Sequence, residues 1–84
     1  MNKLRVLIVD DEPLARENIA ILLREDPEVE LTGMCADGPS AVAEIRVRRP
    51  ELVFLDVQMP RLGGLEVLAQ LAPGERPAVF FVTA

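Results

Sequence analysis

Two short apolar runs, each ending abruptly in carboxylate, constrain this chain more than anything else in it. Val6-Leu7-Ile8-Val9 runs into Asp10-Asp11, and Leu52-Val53-Phe54-Leu55 runs into Asp56. Such runs read as parallel strands buried on both faces, and ligands of open α/β sheets bind just past the carboxyl ends of the strands. If the two strands are neighbours, three carboxylates meet at one point. Two carboxylates roughly 5 Å apart repel by about 3 kcal/mol at an effective dielectric near 20. The remedy is a raised pKa on one acid or a bound hard cation, and Mg²⁺ suits a few carboxylates together with water and phosphate oxygens. The chain has no His, and Cys35 is its only Cys, so a His/Cys zinc centre is disfavoured.

The remaining pattern alternates strands with helices. Leu4 to Val9 reads as a strand, and Pro13 fits the first turn of a helix. Ala15, Ile19, Leu22 and Leu23 form the apolar stripe of that helix, and Glu25-Asp26-Pro27 ends it. Val29 to Cys35 alternates apolar and polar residues, as expected of an edge strand. Asp37 or Ser40 can cap a second helix that carries Ala41, Val42 and Ile45 and stops before Pro50. Leu52 to Leu55 is a third strand and Met59 to Gly64 a loop. Leu65, Leu68 and Leu71 mark a short third helix that Pro73-Gly74 breaks, and Ala78 to Val82 is a fourth strand. The order βαβαβαβ predicts right-handed crossovers and a parallel α/β sheet.

Composition narrows the function classes. With 84 residues, half of them hydrophobic, the chain has room for one small domain. A net charge of −5 argues against this segment gripping nucleic acid by itself. No apolar run approaches the roughly 18 residues of a membrane span, and the N-terminus lacks a signal-peptide pattern. A single Cys offers no internal disulfide, consistent with a cytoplasmic setting.

Asp10-Asp11 after the first strand, Asp56 after the third, the Met59-Pro60…Gly64 loop and Thr83-Ala84 after the fourth together resemble the receiver domain of two-component response regulators. The phrase Asp11-Glu12-Pro13-Leu14-Ala15-Arg16 is similar to regulators with a LytTR-type DNA-binding output. The resemblance implies a flavodoxin-like fold with strand order 2-1-3-4-5. It implies that Asp56 accepts a phosphoryl group from a histidine kinase, and that Asp11, Asp56 and the backbone carbonyl of Gln58 hold Mg²⁺. Asp10 would act on the cation directly or through water. Thr83 would bind a phosphoryl oxygen as the switch residue, with Ala84 leaving space beside it. Such a domain is modified once and switches a protein–protein surface that controls an output domain. It is not an enzyme that turns over a separate substrate.

Two departures stand out. Gly63 occupies a position where many members have Asp or Asn, which predicts a more flexible loop. The family also places a Lys after a fifth strand, whereas Lys3 is the only Lys here and precedes the first strand. The expectation is the N-terminal two-thirds of one receiver domain, truncated after strand four with order 2-1-3-4, lacking helix 4, strand 5 and helix 5. A competing reading follows: a phosphorylation-incompetent fragment that acts only by self-association. Under either reading strand 78–82, apolar on both faces, is expected to join a homodimer or larger assembly. A dehalogenase-type phosphatase is less apt, because it would want Asp-x-Asp where this chain has Asp56-Val57-Gln58. Met34 and Met59 read as packing residues, Cys35 as a small buried hydrophobe, and Arg46, Arg48 and Arg49 as a solvated helix end.

Overall fold

Residues 2–83 are described by the computed structural model. The elements are β1 (Leu4–Val9), α1 (Pro13–Arg24), β2 (Val29–Cys35), α2 (Gly38–Arg48), β3 (Leu52–Asp56), α3 (Gly64–Gln70), a 3₁₀ turn (Pro73–Glu75) and β4 (Ala78–Val82). The four strands form one sheet in the order β2-β1-β3-β4, and every pairing is parallel. The predicted order and fold class therefore hold. Β1 is central, and Val6 to Val9 are each at most 1% exposed, as a strand covered on both faces requires.

The core lies on one face of the sheet. Leu7, Val9, Val53 and Leu55 pack there against Ala41, Val42 and Ile45 of α2 and Val67 of α3, with Met59 and Cys35 in the same cluster. Val6 and Ile8 point the other way, where α1 buries Ala20. Leu22 does not join that face: it is 69% exposed, because the buried side of α1 centres on Ile19, Ala20 and Leu23. Likewise Leu65 is exposed, and Val67 and Leu71 are the buried positions around α3, which starts at Gly64 rather than after it.

Local chemistry sets the ends of these elements. Asp37 is the cap of α2: its carboxylate accepts the Ser40 N–H at 2.8 Å. Β2 carries a bulge, since Val6 pairs with Leu31 but Leu7 pairs with Gly33. The Thr32 hydroxyl donates to Val6 O at 3.0 Å, and the Arg48 guanidinium donates to Thr32 O at 2.9 Å. Arg48 is thus a staple between α2 and β2, more than a solvated helix end. Among the described residues β4 is an edge strand. Its Phe80 packs against Phe54 in a tilted arrangement, ring centroids 5.4 Å apart, and stays 60% exposed.

Candidate functional site

The two acidic strand ends meet because β1 and β3 are hydrogen-bonded neighbours in parallel register, with Val9 opposite Leu55. One carboxylate oxygen each from Asp10, Asp11 and Asp56 lies within 4.8 Å of the others. Asp10 is almost fully buried and held on every side. Its N–H donates to Cys35 O at 3.1 Å, its carboxylate accepts the Glu12 N–H at 2.9 Å, and its carbonyl accepts Arg16 Nη1 at 2.8 Å. Asp11 is exposed and points its carboxylate into the same cleft. Asp56 is half-buried, and its carboxylate accepts the Gln58 N–H at 3.0 Å.

Thr83 comes to this point because β4 pairs in parallel with β3 along its length, with Val82 opposite Asp56. The Val57 N–H donates to Val82 O at 3.2 Å, which ties the segment after β3 to the end of β4. Thr83 then lines a cleft of about 300 Å³ together with Asp10, Asp11, Asp56 and Gln58. Five residues singled out in the sequence are therefore gathered at one end of the sheet. Ala84 lies outside the described residues. Lys3 sits at the opposite end, in a cleft of about 550 Å³ shared with Arg5, Glu30 and Glu51.

The electrostatics fit a cation. Burial pushes the Asp56 carboxyl above the ordinary range, and the charges of Asp10 and Asp11 push it the same way, while the Gln58 N–H opposes them. A hard divalent ion would relieve this repulsion, and a cluster of three carboxylates without imidazole or exposed thiolate could hold one. Cys35 takes no part: it is buried in the core, and burial pushes its thiol up to about 11.

The loop after Asp56 makes two contacts through its glycine N–H groups. The Gly63 N–H donates to Glu66 Oε2 at 3.1 Å, and the Gly64 N–H donates to Val57 O at 3.0 Å. Arg16 and Glu66 are site-supporting residues that the residue pattern did not single out. Both act on backbone, so neither belongs to the acidic signature. The Gly63-Gly64-Leu65-Glu66 spacing, an N-cap followed by a Glu at the third helical position, was the available signal for Glu66.

Three comparisons bear on this geometry. The family model for the response regulator receiver domain matches residues 6–84. Transcriptional regulatory protein BtsR of Salmonella typhi is 49% identical over 81 residues, which is 96% of this chain and 34% of that protein. The chain thus spans about a third of the length of the curated relatives it matches. Among solved structures, the signal receiver domain of the putative response regulator NarL from Mycobacterium tuberculosis superposes with a TM-score of 0.91 at 33% identity, covering 100% of this chain and 68% of that one. The response regulator domain of Thermotoga maritima CheB gives 0.88 at 30% identity, covering 98% and 61%.

Proposed function

The chain belongs to the response regulator receiver domain family, and from that premise we propose that Asp56 accepts a phosphoryl group from a histidine kinase with Mg²⁺ in the acidic pocket. The observation that carries the proposal is the meeting of Asp10, Asp11 and Asp56 within 4.8 Å at the carboxyl ends of β1 and β3, with Thr83 in the same cleft. An oxygen of the Asp56 carboxylate attacks phosphorus. The new P–O bond makes an acyl phosphate, and the P–N bond to the kinase imidazole breaks with its electron pair staying on nitrogen. The Gln58 N–H holds the other side of the carboxylate and so orients the attacking oxygen.

Asp11, Asp56 and the Gln58 carbonyl would hold Mg²⁺, with Asp10 bound directly or through water. When bound, the ion offsets charge on the transferring phosphoryl oxygens. The Thr83 hydroxyl is placed to donate to one of those oxygens. In this reading the domain is modified stoichiometrically rather than acting as an enzyme, and it works in the cytoplasm. It supplies the first two-thirds of one receiver domain, whose switched surface controls a transcriptional output of the LytTR type. The transcriptional role is supported by the name of the BtsR relatives, and no helix of the described residues is long and apolar enough to cross a membrane.

The test is intact mass after incubation with Mg²⁺ and acetyl phosphate, with Asp56→Asn as control. One added phosphoryl group on the parent and none on the control is expected. No addition under conditions that label a longer receiver would favour the second reading, a self-association module. That reading is supported by Phe80 and Phe81, exposed on β4, an edge strand among the described residues.

A further inference from the structure

Gly63 and Gly64 bring the first turn of α3 against the main chain of the acceptor segment. A Cβ on Gly64 would lie 2.5 Å from Asp56 O, and one on Gly63 would lie 2.6 Å from Val57 O. The Gly64 N–H is bonded to Val57 O at 3.0 Å. The other side of this segment is held by β4, where the Val57 N–H donates to Val82 O, so whatever fixes the turn sets the α3 side of the backbone from Asp56 to Gln58, and with it the Gln58 N–H that holds the Asp56 carboxylate. The turn has little support of its own. Α3 is 7 residues long, too short to be stable by propagation alone, and Gly63 has no side chain with which to cap it. Glu66 takes over that task from inside the helix. Its carboxylate reaches back to the Gly63 N–H at 3.1 Å, where an acid is also favoured by the positive end of the helix.

We propose that Glu66 is the positioning residue of the phosphoacceptor loop, holding the main chain of Asp56 to Gln58 in place through Gly63 and Gly64. The inference rests on Asp56 being the acceptor. It assigns Glu66 a role that its exposure alone would not suggest, that of a cap for a helix start whose own residue, Gly63, has no side chain. Loss of the carboxylate leaves the Gly63 N–H without its partner, loosens the Gly64 contact to Val57 O, and lets the acceptor carboxylate wander. Small displacements of a reacting group are costly, up to about 100-fold in rate for 1 Å.

The test compares Glu66→Ala and Glu66→Gln with the parent 84-residue chain. Three quantities are read: amide exchange at Gly63, the Mg²⁺ dissociation constant from the Gln58 amide shift with Mg²⁺ alone, and the rate of phosphoryl incorporation from acetyl phosphate. Glu66→Ala is expected to speed Gly63 exchange, to weaken Mg²⁺ binding about threefold and to slow incorporation about tenfold. Glu66→Gln keeps an oxygen that accepts from the Gly63 N–H and removes the charge, so it should stay within about twofold of the parent on all three. The idea is overturned if Glu66→Ala frees the Gly63 amide but leaves Mg²⁺ binding and incorporation unchanged. Equal defects in both variants would also overturn it, since negative charge and not the hydrogen bond would then matter. A parent chain that neither shifts Gln58 with Mg²⁺ nor gains mass refutes the acceptor reading and this inference with it. A responsive parent beside an indifferent Glu66→Ala refutes this inference alone.

Discussion

Burial, reinforced by the charges of Asp10 and Asp11, holds the Asp56 carboxyl above its ordinary range in the folded chain. The unfolded value is about 3.9, so the native state keeps the Asp56 proton to higher pH than the unfolded state does. The contribution of this group to stability is therefore most favourable at low pH, falls as pH rises through the unfolded value, and is lost above the folded one. Asp56→Asn is accordingly expected to raise the metal-free melting temperature at pH 7. After solvent screening of a half-buried pair, a gain of about 1 kcal/mol corresponds to roughly 4–8 °C for a domain of this size. The gap should close as pH falls toward 4, and millimolar Mg²⁺ should narrow it by stabilising the parent alone. Thermal melts at both pH values, with chelator and with Mg²⁺, check this, and a metal-free variant no more stable than the parent at pH 7 would remove the repulsion from the account. A second residue carries strain of another kind: Arg61 sits at φ 70°, in the left-handed region that disfavours a Cβ. Arg61→Gly is expected to stabilise by about 0.5–1 kcal/mol, read from denaturant midpoints, because the ion pair it would lose, to Asp37 at 3.9 Å, is exposed and long. The acids were legible in the sequence because each follows an apolar strand. Arg61 and Arg16 were not, because their roles depend on backbone direction that no residue pattern records, and Glu66 left only the faint signal of a Glu three residues after a glycine cap.

Elements were legible wherever a run had a clear period and a chemical stop. Β1, β2 and β4 have the bounds the sequence predicts, and Asp37 rather than Ser40 proves to be the cap of α2, since only its side chain lies outside the first turn. The stripe on α1 was less legible. Leu22 lies seven residues after Ala15, so the two share a helical face, but that face is the margin of the contact and not its centre. Which flank of an amphipathic helix meets the sheet is decided by the strands beneath, not by the helix. The bulge at Thr32 was invisible for the same reason, because it exists only in the pairing of β2 with β1. The α2 cap gives a prediction at this scale. The Ser40 N–H holds the Asp37 carboxyl below its ordinary range, aided by Ser40's side chain. Its contribution is present above the unfolded value and is lost as pH falls through the folded one. Asp37→Ala should lower the melting temperature at pH 7, and the deficit should shrink on acidification to about pH 2–3. A deficit that persists unchanged in acid would mean the residue acts through packing and not through its charge-assisted cap.

The sheet as a whole has two unlike edges. On the β2 side the bulge at Thr32, stapled by Arg48, breaks the regular ladder, and Glu28 and Glu30 add charge to that side. Natural proteins blunt edges by these means. Among the described residues the β4 side has neither device. Β4 reads Ala-Val-Phe-Phe-Val, and Phe80 and Phe81 are 60% and 40% exposed. The face behind it is also thinly covered: α1 lies over β1 and β2, which leaves the Phe54–Phe80 pair beyond its reach. An apolar strand with unpaired N–H and C=O groups offers a partner both a ladder and a dry surface. The 84-residue polypeptide is therefore expected to self-associate through β4 at tens of micromolar, as light scattering would show. Phe80→Lys places a charge on that surface without touching the acidic pocket at the strand ends, so it should return the chain to a monomer while Mg²⁺ still shifts the Gln58 amide. If the parent is already monomeric at that concentration, the edge is not an adhesive surface and the self-association reading fails. If Phe80→Lys stays associated, the contact lies elsewhere, and the exposed Leu14, Ile21 and Leu22 of α1 become the next surface to charge.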